Sequence, residues 1–293
     1  MRVMALDIGG TSIKAGVVTD GRLARLRETP TPASRGGEAV LRLAEEIAAS
    51  EAGFDRIGVS TAGQVDPETG AILFANENLP GYTGMRVRER LEARFGVPAA
   101  VENDVNAAAI GEMQYGAARG ERDFLCLTYG TGIGGAVVIG GELYHGSGCS
   151  AGEFGHLLTH PGGLPCGCGG RGCYESYASV SALVRSASQL DSSLSSGRAV
   201  FARRAEPAVQ AVIDAWTREI AYGLVSLIHC FNPACVVLGG GILQEPWLAA
   251  RLPELVRPQL MLAYRAVRLR PAALGNAAGL LGAAWLAARR TSG

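Results

Sequence analysis

The chain of 293 residues carries 27 basic and 27 acidic side chains, so its formal net charge at pH 7 is zero. A hydrophobic fraction of 48% and a charged fraction of 18% are typical of a folded protein with a sizeable core, and the length favours two domains. The balanced charge argues against a nucleic-acid partner, because proteins that bind a phosphate backbone carry a basic surface.

The predicted elements of the first half alternate between strands and helices, which indicates the α/β fold class. Short β-branched and apolar runs predict the strands, and longer amphipathic or charged runs predict the helices. In chain order we expect a strand–turn–strand hairpin over residues 5–18, a helix over 37–52, a strand over 56–60, a helix over 86–95, a strand over 99–102 and a helix over 105–115.

The second half begins with another hairpin and then becomes mainly helical. In chain order we expect the hairpin over residues 126–138, a polar loop over 188–197, a long helix over 207–230, a strand over 235–238, a turn of three glycines at 239–241 and an Ala/Leu-rich helix near the end.

Two segments without charged side chains, residues 220–244 and 271–288, are long enough to span a membrane. Glycines interrupt both segments, and Asn232 with Pro233 breaks the first, so we expect buried helices and a strand instead. The sequence opens on an apolar strand without a secretory signal, and its cysteines number seven. An odd number, three of them crowded together, argues against a disulfide framework, so the expected location is the reducing cytoplasm.

The two hairpins are degenerate copies of one pattern, ALDIGGTSIKAGVV at 5–18 and CLTYGTGIGGAVV at 126–138. The repeat predicts two domains of related fold. Residues 130–135 satisfy the GxGxxG pattern, but a β-branched strand follows where a dinucleotide site requires a helix. The Gly/Thr turns are therefore either tight hairpin turns or sites whose backbone N–H groups bind phosphate.

Lys14 is the only lysine among the 27 basic residues, and it follows the first turn. It stands there either by chance or because its ammonium group binds phosphate.

A metal site is predicted from Cys166, Cys168 and Cys173, with His156 upstream of them. Three thiolates and one imidazole complete a tetrahedral zinc site, and the glycines between the cysteines permit the tight turns that it needs. His160 is an alternative fourth ligand, and free or paired cysteines are the alternative to a metal. Because protein atoms would fill all four positions, the zinc is expected to be structural.

Glu102, Asn103 and Asp104 lie between a predicted strand and a predicted helix. A carboxylate at the end of a strand is well placed to accept a proton from a substrate hydroxyl. A helix cap is the alternative role for Asp104, and the sequence leaves both interpretations open. Glu153 and Glu175 flank the cysteines and are either functional acids or solvated surface acids.

Together these motifs resemble the ROK family (repressors, open reading frames, kinases) of the actin/hexokinase-like ATPase superfamily. The resemblance extends from DIGGTSIK at 7–14 to GNAAGLLGAAW at 275–285, and its most specific part is the cysteine segment. It implies an α/β fold with two actin-like (ribonuclease H-like) domains around a central cleft and a structural zinc site. The expected domains are residues 1–115, completed by a C-terminal helix at 278–293, and residues 116–277.

The resemblance also implies roles for single residues. Asp104 would be the general base of phosphoryl transfer, Asp7 would hold Mg²⁺ through water, and His156 would bind zinc with one ring nitrogen and the sugar with the other. The further sugar-binding positions are Asn103, Glu153, Glu175, Asn78 and Gly63. The nucleotide-binding positions are Asp7, Gly9, Gly10, Thr11, Gly130, Thr131, Gly132, Gly239, Gly240 and Gly241, to which we add Lys14.

The expected function is that of an ATP-dependent hexose kinase, a glucokinase that forms glucose 6-phosphate with ATP, Mg²⁺ and structural Zn²⁺. An N-acetylmannosamine kinase or another sugar kinase of the family is the alternative. A sugar-responsive transcriptional regulator is the alternative from another class, although its DNA-binding module would need tens of residues ahead of Asp7. We expect a homodimer or homotetramer without a nucleic-acid or membrane partner.

Overall fold

The structure is a computed structural model, and it describes residues 1–290. The described chain forms two compact units, each with a five-stranded sheet and its own hydrophobic core. The first unit comprises Met1–Gly120, Leu143–Ala151 and the residues from Asn276 onward, and the second comprises Glu121–Glu142 and Gly152–Gly275.

The strands form two mixed sheets. In chain order they are β1 (Arg2–Ile8), β2 (Ser12–Thr19), β3 (Arg22–Pro30), β4 (Arg56–Thr61), β5 (Gln64–Asp66), β6 (Ala71–Phe74), β7 (Ala99–Asn103), β8 (Phe124–Tyr129), β9 (Ile133–Ile139), β10 (Glu142–Leu143), β11 (Cys235–Gly239) and β12 (Arg268–Pro271). The strand order is β3-β2-β1-β4-β7 in the first sheet and β10-β9-β8-β11-β12 in the second, and β5 pairs with β6 separately. In each sheet an antiparallel hairpin, β1–β2 or β8–β9, continues into parallel strands.

The helices complete the α/β arrangement of each unit. They are α1 (Gly37–Ala49), α2 (Val87–Phe95), α3 (Asp104–Tyr115), α4 (Glu175–Ala178), α5 (Val180–Ser188), α6 (Gly197–Ala202), α7 (Pro207–Phe231), α8 (Pro246–Val256) and α9 (Ala278–Arg289). Along α7, buried Ile220, Leu224 and Leu227 recur at helical spacing, and they join the core cluster that contains Leu127 of β8.

The predicted elements and the α/β class are confirmed, with differences of a few residues at element ends. Asn232 ends α7 in the left-handed conformation, at φ 46°, as expected for a break inside the first uncharged segment. Among residues 1–290, no helix is both long and apolar enough to cross a membrane. The predicted C-terminal helix is described as far as Arg289, and its last predicted residues, 291–293, lie outside the described residues.

The predicted domain bounds differ from the two units in three places. Residues 116–120 and 276–277 were expected in the C-terminal domain but lie in the first unit, and so does the longer segment 143–151. The physical reason is a contact that only the fold creates, between His145 Nε2 and Glu102 Oε2 at 2.8 Å. The hydrogen bond from the Ala151 N–H to the His145 carbonyl, at 2.9 Å, closes the segment into a loop.

Helix α9 packs against α3 at a distance that requires glycine. A Cβ atom on Gly282 would fall on the carbonyl oxygen of Ala107, and a Cβ atom on Gly111 would fall on the carbonyl oxygen of Ala278. The two glycines lie on opposite helices, so each helix accepts the backbone of the other. This contact holds the C-terminal helix in the first unit.

We expect Gly282→Ala to lower the free energy of unfolding by roughly 1–3 kcal/mol, the usual cost of overpacking, although alanine favours a helix by about 1 kcal/mol over glycine. Urea unfolding followed by circular dichroism measures the change. Ala288→Gly on the same helix is the matched control, and it should cost only the ~0.5–1 kcal/mol of helix propensity. A Gly282→Ala protein as stable as the wild type would contradict the close contact.

Candidate functional site

The ends of three parallel strands bring polar side chains together in the first unit. The register places Asp7 of β1 beside Ser60 of β4, and Thr61 of β4 beside Asn103 of β7. Ser60 is fully buried, and its hydroxyl donates to Asp7 Oδ1 over 2.7 Å. Burial raises the pKa of Asp7, against the opposing effects of the Ser60 hydrogen bond and the Lys14 charge. A carboxylate at this edge can ligate a divalent cation.

The side chain of Asn103 caps helix α3. Asn103 Oδ1 accepts hydrogen bonds from the backbone N–H groups of Val105 and Asn106, over 2.9 and 3.1 Å. The Val105 N–H is shared with Asp104 Oδ1, also at 2.9 Å. Asn103 Nδ2 donates to Asp104 Oδ1 and to the Gly63 carbonyl, each over 3.0 Å. Asp104 is therefore the first helical residue, and its neighbour orients its carboxyl group.

The half-buried Asp104 carboxyl has a pKa raised to about 6. Desolvation by burial is the main cause, and the negative charge of Asp7 adds to it, while hydrogen bonds from Val105 and Asn103 oppose it. A carboxyl with a pKa close to neutrality can accept a proton from a bound hydroxyl near neutral pH. The first unit thus presents two carboxyl groups with different capacities, one suited to a cation and one to proton transfer.

The first glycine turn is held in shape by Thr31. The Thr31 hydroxyl donates to the Gly9 carbonyl over 2.7 Å, and its backbone N–H donates to the Thr11 carbonyl over 2.9 Å. Exposed Asn78 lies beside this turn, because a Cβ atom on Gly10 would be 3.5 Å from the Asn78 Cβ. The structure therefore places Asn78, a predicted sugar-binding residue, beside Gly10, a predicted nucleotide-binding residue.

Lys14 lies opposite Asp7 in the β1–β2 ladder. Its ammonium group is 3.4 Å from Asn276 Oδ1, at the start of the segment that leads into α9. The position places the only lysine of the chain next to the carboxylate edge and just after the first glycine turn.

In the second unit, two glycine turns follow neighbouring strand ends. β8 leads into the turn 130–132 and the parallel strand β11 leads into the turn 239–241. Gly240 has φ +105°, and a Cβ atom there would fall on the Tyr129 carbonyl oxygen. Only glycine can bring the second turn this close to the end of β8.

The four predicted zinc ligands lie together in the second unit. One ligand atom from each of His156, Cys166, Cys168 and Cys173 lies within 4.8 Å of the others. The Cys168 and Cys173 Sγ atoms are 3.7 Å apart, and Cys166 Sγ is 3.7 Å from His156 Nδ1. A tetrahedral zinc ion with bonds of about 2.3 Å to sulfur needs sulfur atoms about 3.8 Å apart. The donor set and its spacing therefore fit zinc.

His160, the alternative fourth ligand, makes other contacts. Its ring stacks on Tyr177 with the ring centroids 3.9 Å apart, and its Nε2 lies 2.7 Å from Glu219 Oε2. The Tyr177 hydroxyl accepts a hydrogen bond from the Leu164 N–H over 2.6 Å. These contacts attach the cysteine-containing loop to α4 and α7.

Two acidic residues flank the cysteine cluster. Exposed Glu153 has Oε2 3.7 Å from His156 Nε2, the ring nitrogen other than the one beside Cys166. Glu175 Oε1 lies 3.1 Å from Cys166 Sγ, and Glu175 Oε2 accepts a hydrogen bond from the Ile133 N–H over 3.4 Å. Glu175 thus touches both the cysteine cluster and the end of the glycine turn after β8, a link that the sequence did not predict.

Sequence reasoning missed Ser60 and the pair formed by His145 and Glu102. Glu102 is buried, and its hydrogen bond raises the pKa of His145. A usable signal was present, because a carboxylate inside an apolar strand needs a buried partner, and the chain has only four histidines to offer.

A cavity of about 550 Å³ lies at the amino ends of β8 and β11, where Phe124, Ile139, Pro233 and Arg268 contribute to its lining. The glycine turns follow the opposite ends of these strands. Among the described residues, none of the predicted site residues lines this cavity, so we do not assign it to the site.

Comparisons with known proteins agree with the motifs. The sequence profile of the ROK family matches residues 3–290. The glucokinase of Streptomyces coelicolor is 35% identical, covering 97% of this chain and 96% of its own, and the N-acetylmannosamine kinase of Shigella flexneri is 35% identical over 98% of each chain. The crystal structure of a ROK family glucokinase from Streptomyces griseus in complex with glucose and AMPPNP is 34% identical, with a TM-score of 0.86 over 99% of this chain and 100% of that chain. The resemblance seen in the sequence is confirmed, and the chain belongs to the ROK family.

Proposed function

We propose that this chain is an ATP-dependent glucokinase, which transfers the γ-phosphoryl group of ATP to the 6-hydroxyl group of D-glucose. Membership of the ROK family and the sugar kinases among its relatives make it a sugar kinase, and glucose is the finer part of the proposal. The observation that carries the proposal is the Asn103–Asp104 pair at a strand end, with a raised Asp104 pKa and Asp7 nearby.

In this proposal Asp104 is the general base. Its carboxylate accepts the proton of the sugar hydroxyl while the hydroxyl oxygen attacks the γ-phosphorus, and the bond to the β,γ-bridging oxygen breaks to release ADP. Such proton transfer contributes roughly 10²–10⁴-fold in rate. Asn103 orients the base through the 3.0 Å hydrogen bond between the two side chains.

The nucleotide part of the proposal depends on the glycine turns of both units. Backbone N–H groups of the turns 9–11, 130–132 and 239–241 would bind phosphate oxygens, and Lys14 would add positive charge. Asp7 offers the carboxylate oxygen that Mg²⁺ prefers. When bound, Mg²⁺ would neutralise charge on the triphosphate.

Glu153, His156 and Glu175 would bind sugar hydroxyls from the second unit. With zinc at the cysteine cluster, His156 Nδ1 would be a ligand, which fixes the proton on Nε2 and makes that nitrogen a donor. Cys166 would be a thiolate without a proton to donate, so the Glu175 carboxylate could accept from a sugar hydroxyl instead. Four protein ligands would leave no open position, so the metal would be structural.

We expect the purified protein to contain about one zinc ion per chain, because the four ligand atoms fit a tetrahedral ion. Cys168→Ser removes one thiolate and should abolish most of the bound zinc. Cys230→Ser is the matched control, since Cys230 is exposed and lies outside the cluster. Elemental analysis of freshly reduced protein measures the zinc content of the wild type and of both variants. Zinc-free wild-type protein would contradict the metal site.

The raised pKa of Asp104 predicts the pH dependence of activity. Because a general base must be deprotonated, kcat/KM for the sugar should rise about tenfold per pH unit below pH about 6 and level off above it. Asp104→Asn keeps a hydrogen-bonding side chain but cannot accept the proton, so kcat should fall by ~10²-fold or more while sugar affinity changes several-fold at most.

A carbon-13 NMR titration of the carboxyl groups, without nucleotide, measures the Asp104 pKa directly, and Asp104→Asn assigns its signal. A midpoint near the ordinary value of about 4 would remove the basis for the pH prediction. A near-normal kcat in Asp104→Asn would reduce Asp104 to a structural residue of the first helical turn.

The choice of glucose rests on Glu153 and His156, whose adjacent side chains suit the equatorial hydroxyls of a pyranose. N-Acetylmannosamine is the second candidate, because the Shigella flexneri N-acetylmannosamine kinase and the Streptomyces coelicolor glucokinase are both 35% identical to this chain. The two sugars differ at C2, where one or two contacts worth a few kcal/mol would decide between them.

We expect D-glucose to give the highest kcat/KM among glucose, mannose, fructose, N-acetylglucosamine, N-acetylmannosamine and a β-glucoside, with ADP release as the measurement. A sugar that exceeds glucose by more than about tenfold, ~1.4 kcal/mol in transition-state binding, would overturn the glucokinase assignment but leave the sugar kinase intact. Zinc-loaded, folded protein that phosphorylates none of these sugars would count against the kinase activity itself.

A further inference from the structure

His145 reaches from the loop Leu143–Ala151 to the end of strand β7. Its Nε2 atom lies 2.8 Å from Glu102 Oε2, and 43 residues separate the two side chains along the chain. Both residues belong to the first unit, and the loop is closed by the hydrogen bond from the Ala151 N–H to the His145 carbonyl. The contact is therefore a feature of the fold and not of the local sequence.

The Glu102 carboxylate is nearly removed from solvent, with 4% of its side chain exposed, whereas 25% of the His145 side chain is exposed. Glu102 Oε1 accepts hydrogen bonds from the Asn103 backbone N–H over 2.9 Å and from Asn106 Nδ2 over 3.0 Å. Both of these donors lie on Oε1. His145 Nε2 is thus the donor to the second carboxylate oxygen, Oε2, and a buried carboxylate oxygen without a donor is costly.

Glu102 is connected directly to the residues of the proposed base. The Asn103 backbone N–H donates to the Glu102 carboxylate, and the Asn103 side-chain amide donates to the Asp104 carboxylate. Asn103 therefore links the orientation of Glu102 to that of Asp104. Asn106, the other donor to Glu102, lies in the first turn of α3. The Glu102 carboxylate therefore joins the end of β7 to the beginning of α3, and Asp104 lies at this junction.

We propose that His145 is a positioning residue for phosphoryl transfer, which holds Glu102, and through it Asn103 and Asp104, in the orientation that proton transfer requires. The proposal rests on the proposed function, in which Asp104 is the base. Without a donor at position 145, Glu102 Oε2 would lose its hydrogen bond, so the carboxylate would turn toward solvent. That movement would weaken the hydrogen bonds that orient Asn103, and a shift of ~1 Å in a reacting group can cost about 10²-fold in rate.

Glutamine and asparagine at position 145 provide a matched test. The amide nitrogen of glutamine can take the place of the imidazole Nε2, whereas that of asparagine corresponds to Nδ1 and falls short of Glu102. We expect His145→Gln to keep at least about a third of the wild-type kcat and His145→Asn to lose about tenfold or more. KM for ATP should change by less than about threefold in both, since the glycine turns are untouched.

A double-mutant cycle links the effect to Glu102. In a Glu102→Gln background, His145→Asn should lower kcat by less than about twofold further, because the partner carboxylate is already gone. Thermal unfolding and zinc content establish that each variant is folded. If His145→Asn does not fold, His145→Gln and Glu102→Gln still test the proposal: a folded His145→Gln protein that loses tenfold or more in kcat, or a folded Glu102→Gln protein with kcat within about twofold of wild type, would overturn it.

A folded His145→Asn protein with kcat within about twofold of wild type would also overturn the proposal. A wild-type protein without kinase activity is a different failure, since it removes the proposed function. The positioning is then read from the NMR signal of the Asp104 carboxyl, which should shift in His145→Asn but not in His145→Gln. An unchanged signal in both variants would reject the positioning role independently of activity.

Discussion

The parallel pairing of β1, β4 and β7 determines where the polar side chains of the first unit lie. Asp7, Ser60 and Asn103 are far apart in sequence, and the register places them near the carboxyl ends of three neighbouring strands, at one edge of the sheet. A slip of one residue would turn each of them to the opposite face of the sheet. Buried apolar neighbours such as Val59 therefore fix the register and the site together. The resulting proximity of negative charge contributes to the raised pKa of Asp104.

In the second unit, parallel pairing brings together two glycine turns instead of polar side chains. β8 and β11 are parallel neighbours, so the turns 130–132 and 239–241 that follow them lie at the same edge of the sheet although they are far apart in sequence. Each unit repeats a hairpin with a Gly/Thr turn, and each adds parallel strands at one side of it. The turns at this edge of the sheet offer backbone N–H groups and short side chains, which suits an anionic ligand more than an apolar one.

Features encoded by neighbouring residues could be predicted from the sequence, and features created by distant contacts could not. The hairpins, the helices and the cysteine cluster depend on local spacing, and the structure contains them. The alternatives for Asp104 stayed open because Asn103 beside it is an equally good cap, and only the side-chain geometry shows that Asn103 takes this position. The placement of the 143–151 loop depends on His145 meeting Glu102, which no local pattern encodes.

Glu175 would connect the proposed structural metal to the proposed sugar site. Its Oε1 lies beside Cys166 Sγ, its Oε2 lies beside the Ile133 N–H, and a Cβ atom on Gly132 would be 2.5 Å from Oε2. The cysteine cluster and the glycine turn after β8 therefore share one carboxylate. A Cys166 thiol occupies that carboxylate as a donor, whereas a metal-bound thiolate cannot. Metal binding would thus change the hydrogen bonding of Glu175 toward both the turn and a bound hydroxyl, although the ion itself would not contact the sugar.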